Sequence, residues 1–99
     1  MLPLEKLPEF SKVFNALGNE TRLRILIMAA ESERPLHIKA YAKSLKKRYS
    51  AVYRHVSILR RAGLVTVYEV GRSRVVVPKK GLNLEALFNA LYSGEIITK

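Results

Sequence analysis

The chain has 99 residues, 48% of them hydrophobic, which is enough for one domain with a core and too apolar for a disordered chain. It has no cysteine, so disulfides, thiolate metal sites and a cysteine nucleophile are excluded. Its net charge of +10 makes self-repulsion costly unless a polyanion neutralises it.

The charge is unevenly spread. Residues 1–33 hold four basic and five acidic side chains, residues 34–80 hold thirteen basic ones against Glu69 alone, and residues 81–99 hold Lys99 against Glu85 and Glu95. A one-signed block in mid-chain points to nucleic acid, the alternative being a solvated, solubilising face. No segment pairs a long apolar face with a basic one, and the longest apolar run, Ile25 to Ala30, is far too short to span a bilayer, so no membrane partner is expected. Glu5 and Pro8 interrupt the apolar core that a signal peptide would need, and a cytoplasmic location is expected.

The elements follow in chain order. Phe10, Val13, Phe14 and Leu17 make one stripe of a helix near 8–17 that stops at Gly18. Asn19 is a suitable N-cap for a helix near 20–32, with Glu20 in its first turn and Leu23, Leu26 and Ile27 as its core face. Pro35 breaks the chain. A short helix near 38–46 turns Ile38, Tyr41, Ala42 and Leu45 inward, and a helix near 49–62 does so with Val52, Val56 and Leu59. The few residues between these two force a steep crossing, as in a helix-turn-helix.

Residues 64–78 read as a hairpin. Gly71 suits the positive φ of a type II′ turn, and a loop at Gly71–Arg72 pairs Val70 with Ser73, Glu69 with Arg74 and Tyr68 with Val75. Asn83 then caps a last helix near 83–93 striped by Leu84, Leu87, Phe88 and Leu91. Residues 1–99 therefore form a single domain, mainly α with a β-hairpin.

Two segments carry a resemblance. "LGNETRLRIL" (Leu17–Leu26) followed by "VYRHVSILRRAGLV" (Val52–Val65) resembles the winged helix-turn-helix repressors of the ArsR type, over roughly residues 10–78. Those proteins carry an "LG-(D/N)-x-TR-x-x-IL" segment, then a recognition helix ending in "AGLV", then a wing. The resemblance implies a homodimer whose recognition helices enter successive major grooves of double-stranded DNA, with the terminal helices building the interface. Phe10, Val13, Phe14, Leu84, Leu87, Phe88 and Leu91 are the interface candidates; alternatively, these stripes complete the core of one protomer.

Two departures stand out. Where many members place a metal-binding "CVC", this chain has His37, Ile38 and Lys39, and it has no aspartate. A lone histidine beside a protonated lysine offers too few lone pairs, so no metal and no cofactor are expected. Before the recognition helix, Lys46, Lys47 and Arg48 replace the usual glycine, apolar residue and capping serine. Losing the cap costs about 1 kcal/mol. A local rule broken by three cations suggests phosphate contact; the alternative is a slightly longer third helix with its cations in water.

The face opposite Val52, Val56 and Leu59 carries Tyr49, Ser50, Tyr53, Arg54 and Ser57. Arg54 is the leading base reader, because a guanidinium can fork onto guanine O6 and N7; a phosphate clamp is the competing role. Tyr49 and Tyr53 suit a thymine methyl or a phosphate, or Tyr49 packs in the turn. Ser50 suits a phosphate. Arg60 and Arg61 complement the helix end. Arg72 and Arg74 are expected exposed on the wing, where arginines hold phosphates or enter a minor groove. Lys79 and Lys80 read as a solvated loop. His55, near the core face, reads as packed and hydrogen-bonded.

The expected function is a homodimeric, sequence-specific transcriptional repressor reading a pseudo-palindrome. The alternatives are an architectural or low-specificity nucleic-acid binder and a protein-interaction module. An enzyme is not expected: with two histidines, no cysteine and no aspartate, nothing pairs a nucleophile with a base.

Overall fold

Asparagine side chains set two of the helix starts. In the computed structural model, which describes residues 1–99, Asn19 accepts a hydrogen bond from the Arg22 amide at 3.1 Å and Asn83 one from the Ala86 amide at 3.0 Å. Each satisfies an amide that would otherwise be free at the opening of a helix. These caps begin α2 (Glu20–Glu31) and α5 (Leu84–Ser93). Before them, a 3₁₀ turn at Leu4–Lys6, absent from the expectations, leads into α1 (Leu7–Leu17), which Gly18 closes. α3 (Ile38–Leu45) and α4 (Tyr49–Arg61) follow, three residues apart.

The hairpin forms in the expected register. β2 (Val65–Val70) and β3 (Ser73–Pro78) pair Val70 with Ser73, Glu69 with Arg74 and Tyr68 with Val75. Gly71 has φ 62° while Arg72 stays out of the positive-φ region, as a type II′ turn requires and a type I′ turn does not. A third strand was not foreseen. β1 (Leu36–His37) adds to the other edge of β3, giving the order β1-β3-β2. Two residues are too few to show an alternating pattern, and only the partner strand reveals them. β1 leads directly into α3, so the start of that helix lies beside the wing.

The core gathers Ala16 and Leu17 from α1, Ile25, Leu26 and Ala29 from α2, Ile38 and Tyr41 from α3, and Val52, Val56 and Leu59 from α4. Val65 and Val76 come from the sheet and Leu84 from α5. The α2 face differs from expectation. Ile25, Leu26, Ala29 and Arg22 are buried, while Leu23 and Ile27 are half-buried at the rim. α2 packs on α1, α4 and β3 together, so a central helix in a small domain shows no single dry stripe. Tyr41 is fully buried, and desolvation pushes its hydroxyl up to about 12.

Candidate nucleic-acid interface

The buried side of α4 leaves a defined outer face. With Val52, Val56 and Leu59 fixed in the core, Tyr49, Ser50, Tyr53 and Arg54 project outward, all exposed, on the first two turns. Ser57 is half-buried, and its hydroxyl donates to the Tyr53 carbonyl at 2.8 Å, so its proton is used within the helix. Arg61 bends back to donate to the Ser57 carbonyl at 3.3 Å, the helix-end role read from the sequence.

The turn between α3 and α4 has unusual backbone chemistry. Lys46 closes α3 in the left-handed conformation, φ 55° and ψ 44°, where glycine is normally favoured. Its amide and that of Lys47 bond back to the end of α3, the latter to the Ala42 carbonyl at 3.0 Å. Arg48 occupies the N-cap of α4 with no side-chain cap bond. All three cations are exposed, and the two ion pairs of the chain, Arg24–Glu20 and Arg74–Glu69, use none of them. Three charges therefore crowd the entrance to α4 without internal compensation.

The wing behaves differently at its two arginines. Arg72 is exposed at the tip, as expected. Arg74 is half-buried, which corrects the expectation that both arginines are exposed. Its guanidinium carbon lies 4.6 Å above the centre of the Tyr53 ring, and its Nε lies 3.8 Å from Glu69 Oε1. Tyr53 in turn stacks on Tyr49, with ring centroids 6.4 Å apart and planes 15° apart. Tyr49 thus packs along its own helix rather than in the turn. Between the wing and the start of α3, a cleft of about 340 Å³ is lined by His37, Lys39, Tyr49, Arg72, Ser73 and Arg74.

Behind this face, Arg22 joins three helices, a role sequence reasoning did not assign. Its Nε donates to the Ala16 carbonyl at 2.6 Å and its Nη2 to the Asn15 carbonyl at 3.2 Å, closing the end of α1. Its Nη1 lies 3.1 Å from His55 Nδ1 on α4. A guanidinium can only donate, so Nδ1 accepts and the imidazole proton sits on Nε2. Desolvation, then the charges of Arg22, Lys47 and Arg54, lowers the His55 pKa and keeps the ring neutral. The packed, hydrogen-bonded histidine expected from the sequence is what stands there. The signal for Arg22 was its place in the "TR" of the first motif, in line with Ile25, Leu26 and Ala29.

The apolar stripes of the terminal helices divide. Phe10, Phe14 and Leu87 are 43%, 61% and 38% exposed. Val13, Phe88 and Leu91 are half-buried. Leu84 is buried in the core of its own protomer, which removes it from any exposed surface. His37 carries Ile38 and Lys39 beside it, and no three histidine, aspartate or glutamate side chains gather in one place. No helix is long and apolar enough to cross a membrane.

A short α3–turn–α4 pair, a basic outer face on α4 and a hairpin alongside define a winged helix-turn-helix domain. The chain belongs to the HVO_A0114 family, whose model matches residues 19–84. Its structural neighbours are ArsR-family and HlyU winged helix-turn-helix regulators. HlyU from Vibrio vulnificus CMCP6 is 27% identical with a TM-score of 0.66, over 90% of both chains. An ArsR-like transcriptional regulator from Rhodococcus sp. RHA1 is 26% identical with a TM-score of 0.69, over 96% of this chain and 83% of that one. The homodimeric DNA-binding domain of Mb0332 from Mycobacterium bovis, a possible ArsR-family regulator, is 24% identical with a TM-score of 0.74, over 93% and 82%. No curated protein matches the chain.

Proposed function

We propose that the protein is a homodimeric, sequence-specific regulator of transcription, a repressor that reads a pseudo-palindrome in double-stranded DNA. The observation that carries this reading is the outer face of α4: acid-free, exposed over its first two turns, and preceded by three uncompensated cations. Arg54 reads a base edge in the major groove, with Tyr49 and Tyr53 beside it. Lys46, Lys47, Arg48 and Ser50 hold phosphates of the flanking backbone, and Arg72 reaches a phosphate or the minor groove from the wing tip. Ser57, committed to its own helix, offers only an acceptor. Phe10 and Phe14 on α1 and Leu87 on α5, aided by Val13, Phe88 and Leu91, bury their exposed surface against a second copy. The dimeric neighbour supports that assembly, and two-fold symmetric readers match two-fold symmetric sites.

The test is selection of bound duplexes from a random pool, read by sequencing. A symmetric motif with half-sites one helical turn apart is expected. Equal retention of unrelated duplexes would instead identify an architectural binder. Arg54→Ala should cost roughly 1–3 kcal/mol on the selected site and relax preference at one position of each half-site.

A further inference from the structure

Residues 34–80 contain a single acid, Glu69, and the hairpin register sets it directly across from Arg74. That pairing is at odds with a surface devoted to a polyanion, because a carboxylate there repels phosphate. Its geometry suggests what it does instead. Glu69 Oε1 meets Arg74 Nε at 3.8 Å, and the Arg74 guanidinium is laid over Tyr53 of α4 at 4.6 Å. Tyr53 is steadied by the Tyr49 ring at 6.4 Å. One side chain from β2, one from β3 and two from α4 thus form a continuous stack. Beyond it the wing has no such support. Val70, Gly71 and Arg72 are all exposed, Val70 by 59%. Arg72 has neither an ion pair nor a ring beneath it.

We infer that Arg74 is a positioning residue, a tether that holds the outer wing against α4, and that Arg72 is the wing cation left free for DNA. The inference rests on α4 and the wing forming the DNA-binding face. Glu69 holds the Arg74 guanidinium over Tyr53 and opposes its charge, so the tether adds little net attraction for phosphate. Its contribution is pre-organisation: the wing tip keeps a fixed distance from the recognition helix before DNA arrives, and less ordering entropy is lost on binding.

Two measurements on the full chain test this. The first uses the free protein and ¹⁵N relaxation at the Gly71 and Arg72 amides. In the native protein the order parameters should be near 0.85, and in Tyr53→Leu, or in the charge-neutral pair Glu69→Gln with Arg74→Gln, they should fall below about 0.6. Tyr53→Phe keeps the ring and should keep the order. The second is affinity for the selected duplex against salt. The Glu69→Gln/Arg74→Gln pair should lose roughly 2- to 5-fold in affinity with its salt slope unchanged. Arg72→Gln should lower the slope by about 0.9 while leaving the tip ordered. Combining Tyr53→Leu with Arg74→Gln should cost no more than the worse single substitution, since both break one contact. A tip that stays ordered in Tyr53→Leu overturns the tether. So does an Arg74→Gln protein that loses about 0.9 of slope with an ordered tip, which would make Arg74 a phosphate contact. A tip that loosens as expected, in a protein that binds no duplex at low salt, keeps the tether and removes the regulator reading.

Discussion

Lys46→Gly separates what the turn costs from what it does. Lys46 sits at φ 55°, where a side chain's Cβ crowds the following carbonyl. That strain costs about 1–2 kcal/mol, and glycine escapes it. Glycine also loses more backbone entropy on folding, worth about 0.5–1 kcal/mol, so the net gain should be about 0.5–1 kcal/mol. For a domain of this size that raises Tm by roughly 2–8 °C in a thermal melt. Binding should move the other way. Lys46 is exposed and outside both ion pairs, so its loss removes one cation from the DNA face. One phosphate contact carries a salt exponent of about 0.9, equivalent at 0.15 M salt to roughly 5-fold in affinity. The assay is therefore a melt paired with a salt titration of binding. Lys46→Ala serves as the control, since it removes the charge but keeps the strained backbone and should lose affinity without gaining stability. Two results would refute the reasoning. If Lys46→Gly melts lower, the left-handed backbone is not strained. If it melts higher with affinity and salt slope unchanged, the strain is tolerated for no gain in binding.

Arg22→Lys keeps the charge but cannot reach Asn15, Ala16 and His55 together, and chemical denaturation should show a loss of about 1.5–3 kcal/mol. His55 is held below its usual pKa, so the unfolded chain takes up its proton first as pH falls. The stability it contributes is complete above about pH 6.5 and is lost as pH drops through the folded-state value; denaturation at pH 7.5, 6.5 and 5.5 should show that decline, and His55→Gln should flatten it. Phe14, 61% exposed, carries little of the protomer core, so Phe14→Glu should shift the protein to monomers in sedimentation. The substitution should leave the unfolding free energy of the dilute monomer within about 0.5 kcal/mol of the native one. An unchanged dimer would move the interface off α1.

Some of this protein was legible in its sequence because the signal was local. The hairpin register followed from a period of two and one glycine, and the structure keeps every expected pair from Tyr68–Val75 to the turn. Asn19 and Asn83 cap their helices because a cap needs only an oxygen three residues from an amide. The core seam of α4 followed from helical spacing, and with its inner side known the outer face was known too.

What the tertiary structure decided depends on residues far apart in the chain. β1 exists because β3 offers its second edge, and its two residues carry no pattern of their own. α2 buries Arg22 and Ile25 and leaves Leu23 and Ile27 half-buried at the core rim, because three neighbours choose its buried face together. Leu84 and Leu87 look equivalent on a helical stripe, yet one completes the core and the other faces outward; the packing around α5 decides, not the spacing. Arg72 and Arg74 are likewise two wing arginines of the same composition. Only the approach of Tyr53, 21 residues earlier in the chain, leaves the first free and binds the second, because a cation–π contact depends on where a ring comes to rest in space.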